Sequence, residues 1–138
     1  MDQFAAYGHA IVSMAGVALL ALLLSPLSAM KKTRIGLAPG AQPEADYGSA
    51  TYRWHRAYSN LTEASGSFAL VTVAAILAGG NPVWVNWLAA LFFLSRIVVL
   101  IVHVQGLGRP DMSLRTYTYV FGWLMCILLA LTAIFAAF

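Results

Sequence analysis

Five polar side chains recur at helical spacing between residues 53 and 67. They are two arginines, an amide, a carboxylate and a hydroxyl, separated by steps of 3, 4, 3 and 4: Arg53, Arg56, Asn60, Glu63 and Ser67. On an α-helix, residues at these steps share one face. Arginine binds carboxylates through paired N–H donors, asparagine both donates and accepts, and glutamate accepts from an ammonium. This polar row could therefore bind a small peptide-like molecule that carries two carboxylates and one amine.

Two interpretations without a ligand also fit the polar row. It runs into an apolar stretch, where an unpaired charge costs several kcal/mol in lipid. Glu63 could be neutralised by Arg96, which lies at similar depth in the third apolar segment. That pairing leaves the rest of the row unexplained, whereas a purely structural polar seam between helices would account for all of it.

Other chemistries find little support in the chain. His9 and His103 fall near opposite ends of the apolar segments that carry them, and His55 has no partner at ligand spacing. We therefore expect no metal site. The net charge of +3 comes without a patch of interleaved basic and aromatic residues, so we expect no nucleic-acid partner.

The composition requires lipid around the polar row. Of the 138 residues, 61% are hydrophobic and 9% are charged, and the mean hydropathy is +0.78; soluble domains are about 45–50% apolar and about 25% charged. Crossing a bilayer takes roughly 20 helical residues, and only helices or closed barrels pair all their backbone groups there. We predict one all-α membrane domain over residues 1–138, with helices at about 4–30, 51–79, 82–105 and 113–138. The first is expected to be retained, because Asp2 and a full-length apolar run do not suit a signal peptide.

Loop lengths and charges predict the topology. The turns near residues 79–82 and 106–110 are short, which favours an up-down bundle of four transmembrane helices. Basic residues concentrate in the loop at about 31–50 and its flank, and in the turn after the third helix: Lys31, Lys32, Arg34, Arg53, Arg56, Arg109 and Arg115. The positive-inside rule then places both basic loops in the cytoplasm and both termini outside. We expect an integral protein of a bacterial inner membrane whose polar row faces the cytoplasm.

These residues also resemble those of a known family. The pattern Arg53-x-x-Arg56-Ala57-x-x-Asn60-x-x-Glu63 is similar to the second-helix signature of the MAPEG family, the membrane-associated proteins in eicosanoid and glutathione metabolism. The segments 103–106 and 113–117 are similar to the end of that family's third helix and the start of its fourth. Length, helix count and topology agree, and the chain looks like a bacterial-type member.

The resemblance implies an assembly, a co-substrate and a reaction. It implies a homotrimer that binds glutathione between neighbouring protomers near the cytoplasmic face, and glutathione transferase or peroxidase activity toward lipophilic electrophiles. Carried over position by position, the glutathione-binding residues are Arg53, Arg56, Asn60, Glu63, His103 and Tyr117, with Arg115 as the catalytic residue beside the sulfur. An arginine there favours the thiolate, which is the nucleophilic form of a thiol.

Several positions depart from the family pattern. His103 stands where tyrosine is usual, and Val99 and Leu107 are apolar where some eicosanoid-forming members have histidine or tyrosine. These departures leave open a second function, that of a non-catalytic accessory subunit in a larger membrane complex. A third, a small four-helix exporter, would carry its acidic residue in the first helix, and the first helix here has none.

Overall fold

Four long helices dominate the protein. The computed structural model describes residues 2–108 and 113–138, so Arg109 lies outside the described residues. The described part holds a short 3₁₀ helix, Asp2–Tyr7, followed by α1 (Gly8–Thr33), α2 (Ala50–Leu77), α3 (Pro82–Gln105) and α4 (Leu114–Ala136). It contains no strand, and all four α-helices are long and apolar enough to cross a membrane. The predicted all-α class with four membrane-length helices is confirmed, and such helices imply a lipid bilayer environment.

Local sequence explains where the helices begin and end. Ser49 precedes α2, and its hydroxyl accepts a hydrogen bond from the backbone N–H of Tyr52 at 3.4 Å. Asn81 caps α3 with its side-chain oxygen, and Pro82 takes the first helical position, where no N–H is needed. Gly106 ends α3 at a φ of 69°, a left-handed conformation that glycine adopts without steric cost.

α2 and α3 are the central pair of the bundle, and α1 and α4 each pack against both of them. In the core, the rings of Phe68 and Phe92 stack with their centroids 4.0 Å apart, and both are fully buried. Large apolar side chains such as Leu22 and Leu70 point outward instead, with 72% and 74% exposed. An outward leucine is expected where the surrounding solvent is lipid.

The two ends of the bundle differ in character. At one end, α1 and α3 finish and α2 and α4 start; we call it the basic end, because it carries Lys31, Lys32, Arg53, Arg56 and Arg115. At the opposite end, the hydroxyl of Tyr7 donates to the Gly80 carbonyl at 2.6 Å. The Asn86 amide there accepts from the backbone N–H of Ala10 and donates to the carbonyl of Ala6. These bonds hold the 3₁₀ helix and α1 against α3.

Candidate functional site

A polar cavity lies at the basic end, between α2, α3, α4 and the loop that precedes α2. Its volume is about 240 Å³. Eight side chains line it, and most are charged or can form hydrogen bonds: Tyr47, Arg56, Asn60, Glu63, His103, Arg115, Thr116 and Tyr119. Five of the seven residues that the sequence selected as a site are therefore brought together around one space.

The middle of the polar row forms the α2 wall of this cavity. Arg56 and Glu63 form an ion pair with 3.8 Å between Nη1 and Oε1, and their side chains are 32% and 52% exposed. An ion pair this open contributes less than about 1 kcal/mol to stability. Both charges are therefore available to a ligand at little energetic cost.

A chain of hydrogen bonds connects Arg56 to α3 through the centre of the cavity wall. Arg56 donates from Nη2 to the side-chain oxygen of Asn60 at 3.0 Å. The Asn60 amide nitrogen lies 3.0 Å from Nε2 of His103, and Nδ1 of His103 lies 2.9 Å from the carbonyl oxygen of Val99. Asn60 and His103 are 7% and 3% exposed, so these bonds are protected from solvent.

Arg115 forms the α4 side of the cavity. It lies in the first turn of α4 and is only 6% exposed. Its guanidinium carbon lies 3.9 Å from the centre of the Tyr47 ring, within the range of a cation–π contact. Sequence reasoning missed Tyr47, because it lies in a loop without periodicity. Its position two residues before Ser49, the N-cap of α2, is the one signal that could have placed it near the site.

Arg53 does not line the cavity but holds the loop before α2 in place. Its Nη1 donates to the carbonyls of Tyr47 at 2.8 Å and Gly48 at 2.9 Å, and its Nε donates to the Val104 carbonyl at 3.4 Å. Arg53 thus joins the loop before α2 to the last turn of α3. Gly106 leaves room for it, because a β-carbon there would come within 3.1 Å of the arginine side chain.

An apolar groove adjoins the polar cavity along α2 and α4. Its volume is about 310 Å³. Small and apolar side chains dominate its lining: Glu63, Ala64, Ser67, Val71, Tyr119, Trp123, Cys126, Ile127 and Ala130. Glu63 and Tyr119 line both spaces, so the cavity and the groove share a wall. Ser67, the last member of the polar row, belongs to the groove.

The comparison with protein families decides what kind of protein this is. The sequence model of the MAPEG family matches residues 9–135 of the 138. The chain belongs to the MAPEG family. No curated protein and no solved structure was found to match it. The family match includes α2 and α3 and all but one terminal residue each of α1 and α4, and it includes every residue that lines the cavity.

In this MAPEG protein, the tyrosine that reaches the cavity is Tyr119 rather than Tyr117. Tyr117 is 65% exposed and lines neither the cavity nor the groove. Successive residues of an α-helix are about 100° apart, so two residues along the helix point in nearly opposite directions. The alternating Tyr-Thr-Tyr pattern of residues 117–119 gave no indication of which ring would face inward.

The suggested pairing of Glu63 with Arg96 is wrong in this MAPEG protein. Arg96 is 2% exposed and donates from Nη2 to the carbonyls of Thr118 at 3.2 Å and Tyr119 at 2.9 Å. Its guanidinium carbon also lies over the rings of Phe92 and Tyr119, 5.0 Å and 4.9 Å from their centres. Backbone carbonyls and ring faces thus replace the expected carboxylate, and Glu63 pairs with Arg56 instead.

The three histidines do not converge. His103 lies at the polar cavity, whereas His9 lines a separate cavity at the opposite end of the bundle, beside Asn86 and Trp87. Within residues 2–108 and 113–138, no three histidine, cysteine or acidic side chains are grouped closely enough to hold a metal ion.

Proposed function

We propose that the protein is a membrane-bound glutathione transferase or peroxidase that binds glutathione in the polar cavity. Bound there, the thiol would be activated as a thiolate and would attack lipophilic electrophiles that dissolve in the bilayer. The observation that carries this proposal is the shared wall. A cavity containing Arg56, Glu63 and the buried Arg115 opens beside an apolar groove.

The charges of the cavity complement those of glutathione, which has two carboxylates, one ammonium, two peptide bonds and a thiol. Arg56 supplies paired donors for a carboxylate, and Glu63 supplies an acceptor for the ammonium. Asn60 can bind a peptide group, because its amide both donates and accepts. In this proposal Arg53 acts indirectly, by holding the Tyr47 loop, and Tyr119 takes the place of Tyr117 beside the ligand.

Arg115 is the residue we assign to the sulfur. A free thiol has a pKa of about 8.5, so little of it is thiolate at neutral pH. A buried guanidinium favours the anionic form, and a tenfold gain in the thiolate-to-thiol ratio requires only about 1.4 kcal/mol. The proton passes to water, the thiolate forms a carbon–sulfur bond with the electrophile, and the leaving group departs with the bonding electron pair.

The assembly and the orientation belong to the same proposal. Glu63 is half exposed in the single chain, so one side of the cavity is open. In the homotrimer that family membership suggests, a neighbouring protomer would close this side. We further propose that the basic end faces the cytoplasm, in agreement with the positive-inside rule.

The test is a calorimetric titration of reduced glutathione into the detergent-purified protein. We expect saturable binding that the double variant Arg56→Ala/Glu63→Ala loses. The control is Arg34→Ala/Glu44→Ala, which removes one charge of each sign from exposed positions in the loop before α2. A folded wild-type protein that binds no glutathione at millimolar concentration would overturn the proposal and favour the accessory-subunit alternative.

A further inference from the structure

We propose that His103 is a positioning residue: its neutral ring, protonated on Nδ1, fixes the orientation of the Asn60 amide so that it can bind a peptide bond. The part that concerns the peptide bond rests on the proposed function. The orientation of the amide does not, because contacts within the protein determine it.

The contact with Val99 determines which ring nitrogen of His103 carries the proton. Nδ1 lies 2.9 Å from the Val99 carbonyl oxygen, and a carbonyl can only accept a hydrogen bond. Nδ1 must therefore be the donor. In a neutral imidazole the other nitrogen, Nε2, then has a free lone pair and is an acceptor.

The contact with Arg56 independently determines how the Asn60 amide is turned. A guanidinium has donors and no acceptor, so the atom 3.0 Å from Arg56 Nη2 must be the amide oxygen. This places the NH₂ group of Asn60 toward His103, at 3.0 Å from Nε2. A flipped amide would direct its NH₂ group at the Arg56 donor, and a doubly protonated His103 would direct a donor at the Asn60 NH₂ group.

The contacts at the two ends of this series of hydrogen bonds, with Arg56 and with Val99, therefore require the same arrangement of protons. Donation runs in one direction, from Arg56 through Asn60 and His103 to the backbone of Val99. The ring of Tyr47 lies 6.5 Å from the His103 ring, tilted by 47°, and covers it from the side of the loop. With His103 only 3% exposed, water has little access to compete for Nε2.

This arrangement determines what Asn60 can offer a ligand. One N–H is used by His103 and one oxygen lone pair by Arg56, which leaves one N–H and one lone pair. A peptide bond presents the complementary carbonyl and N–H. His103 itself has no donor left, since its one N–H is bound to Val99. It therefore cannot donate to the sulfur as a tyrosine hydroxyl could, which leaves that task to Arg115.

The first experiment examines the resting protein without any ligand. Nitrogen NMR of protein labelled with ¹⁵N-histidine distinguishes the two neutral tautomers and the doubly protonated ring. The chain has three histidines, and the signal that disappears in His103→Leu identifies the one of interest. We expect the tautomer with the proton on Nδ1 at neutral pH. The opposite tautomer, or a doubly protonated ring, would overturn the proposal.

The second experiment measures what the orientation does for binding. His103→Leu leaves the Asn60 NH₂ group without its acceptor, and we expect the dissociation constant for glutathione to rise about tenfold. His103→Gln returns an acceptor near the position of Nε2 and should restore most of the affinity. His9→Leu, at the opposite end of the bundle, is the matched control and should bind as the wild type does.

The turnover rate separates a positioning role from a catalytic one. At saturating glutathione, His103→Leu should turn over within about threefold of the wild type, while KM rises about tenfold. Unchanged KM in His103→Leu, or equal loss in His103→Gln, would overturn the positioning role. If the wild type binds no glutathione, the proposed function fails, and the tautomer alone decides whether His103 orients Asn60.

Discussion

The guanidinium carbon of Arg115 lies 3.9 Å from the centre of the Tyr47 ring, so the residue assigned to the sulfur packs against the loop that precedes α2. Tyr47 also contacts the ring of Tyr52 edge-on, with 5.1 Å between the ring centres. The position of the Arg115 charge therefore depends on the conformation of the loop before α2.

Removing the Tyr47 ring should weaken the packing of Arg115 at the cavity wall. A cation–π contact is worth about 0.5–2 kcal/mol, so we expect Tyr47→Ala to lower the rate of glutathione conjugation about 2–30-fold. Tyr47→Phe keeps the ring face and should retain most of the activity. The rate with a chromogenic aryl halide measures both variants. Equal losses in the two variants would show that the hydroxyl, and not the ring face, is what matters.

Replacing Arg115 should change the pH dependence of the reaction. Under the proposed function, the guanidinium stabilises the thiolate and so lowers the pKa of bound glutathione below the free value of about 8.5. In Arg115→Ala that pKa should rise again, which lowers the rate at neutral pH by at least about tenfold and lets it recover as the pH increases. The ultraviolet absorbance of the thiolate, followed against pH, measures the effect directly. An unchanged pKa of bound glutathione in Arg115→Ala would show that Arg115 does not stabilise the thiolate.

Arg53→Ala should loosen the loop before α2 while leaving the charged residues that line the cavity in place. The substitution removes the donors to the carbonyls of Tyr47 and Gly48, so Tyr47 should become accessible. We expect faster cleavage after Tyr47 by a protease specific for aromatic residues, since each lost bond to a charged donor stabilises the loop by about 1.5–3 kcal/mol. Arg53 does not line the cavity, so glutathione binding should weaken less, by roughly 3–10-fold or about 0.6–1.4 kcal/mol. Arg34→Ala, at an exposed position of the same loop, is the control. Unchanged cleavage would show that the loop holds without Arg53.

Gly122 should tolerate no side chain, because α4 packs directly against Ser95 and Arg96 of α3 there. A β-carbon at Gly122 would overlap Nη2 of Arg96 and the hydroxyl of Ser95. Arg96 would have to leave its carbonyl partners on α4, so we expect Gly122→Ala to destabilise the protein by about 1–3 kcal/mol. The thermal unfolding midpoint in detergent measures this. Gly66→Ala is the matched control, since a β-carbon there meets no atom within 4 Å and alanine is the better helix former.

Local sequence patterns were enough to predict the four helices and the part of the site that α2 supplies. Hydropathy identifies a membrane helix without knowledge of its neighbours, and the spacing of Arg56, Asn60 and Glu63 places them on one face whatever lies opposite. Arg115 and His103 were selected through family resemblance, and the structure brings both to the same cavity.

The remaining features depend on contacts between elements that are distant in sequence. Arg53 follows the spacing of the polar row, but its guanidinium is hydrogen-bonded to carbonyls of the loop and of α3 instead of lining the cavity. The partners of Arg96 are backbone carbonyls, which every residue possesses, so no residue type could have revealed them. The choice of Tyr119 over Tyr117 depends on how α4 is rotated about its axis, and Gly122 of that helix packs against Arg96 of α3.

The wall shared by cavity and groove has a consequence for the fate of the product. Under the proposed function, a substrate that partitions into the hydrocarbon phase acquires, in one step, a tripeptide with two negative charges and one positive charge. Its equilibrium then moves from the oil phase toward the aqueous phase. Glu63 and Tyr119 stand where the apolar groove meets the polar cavity. Each conjugation would therefore extract one molecule from the membrane and release it into water.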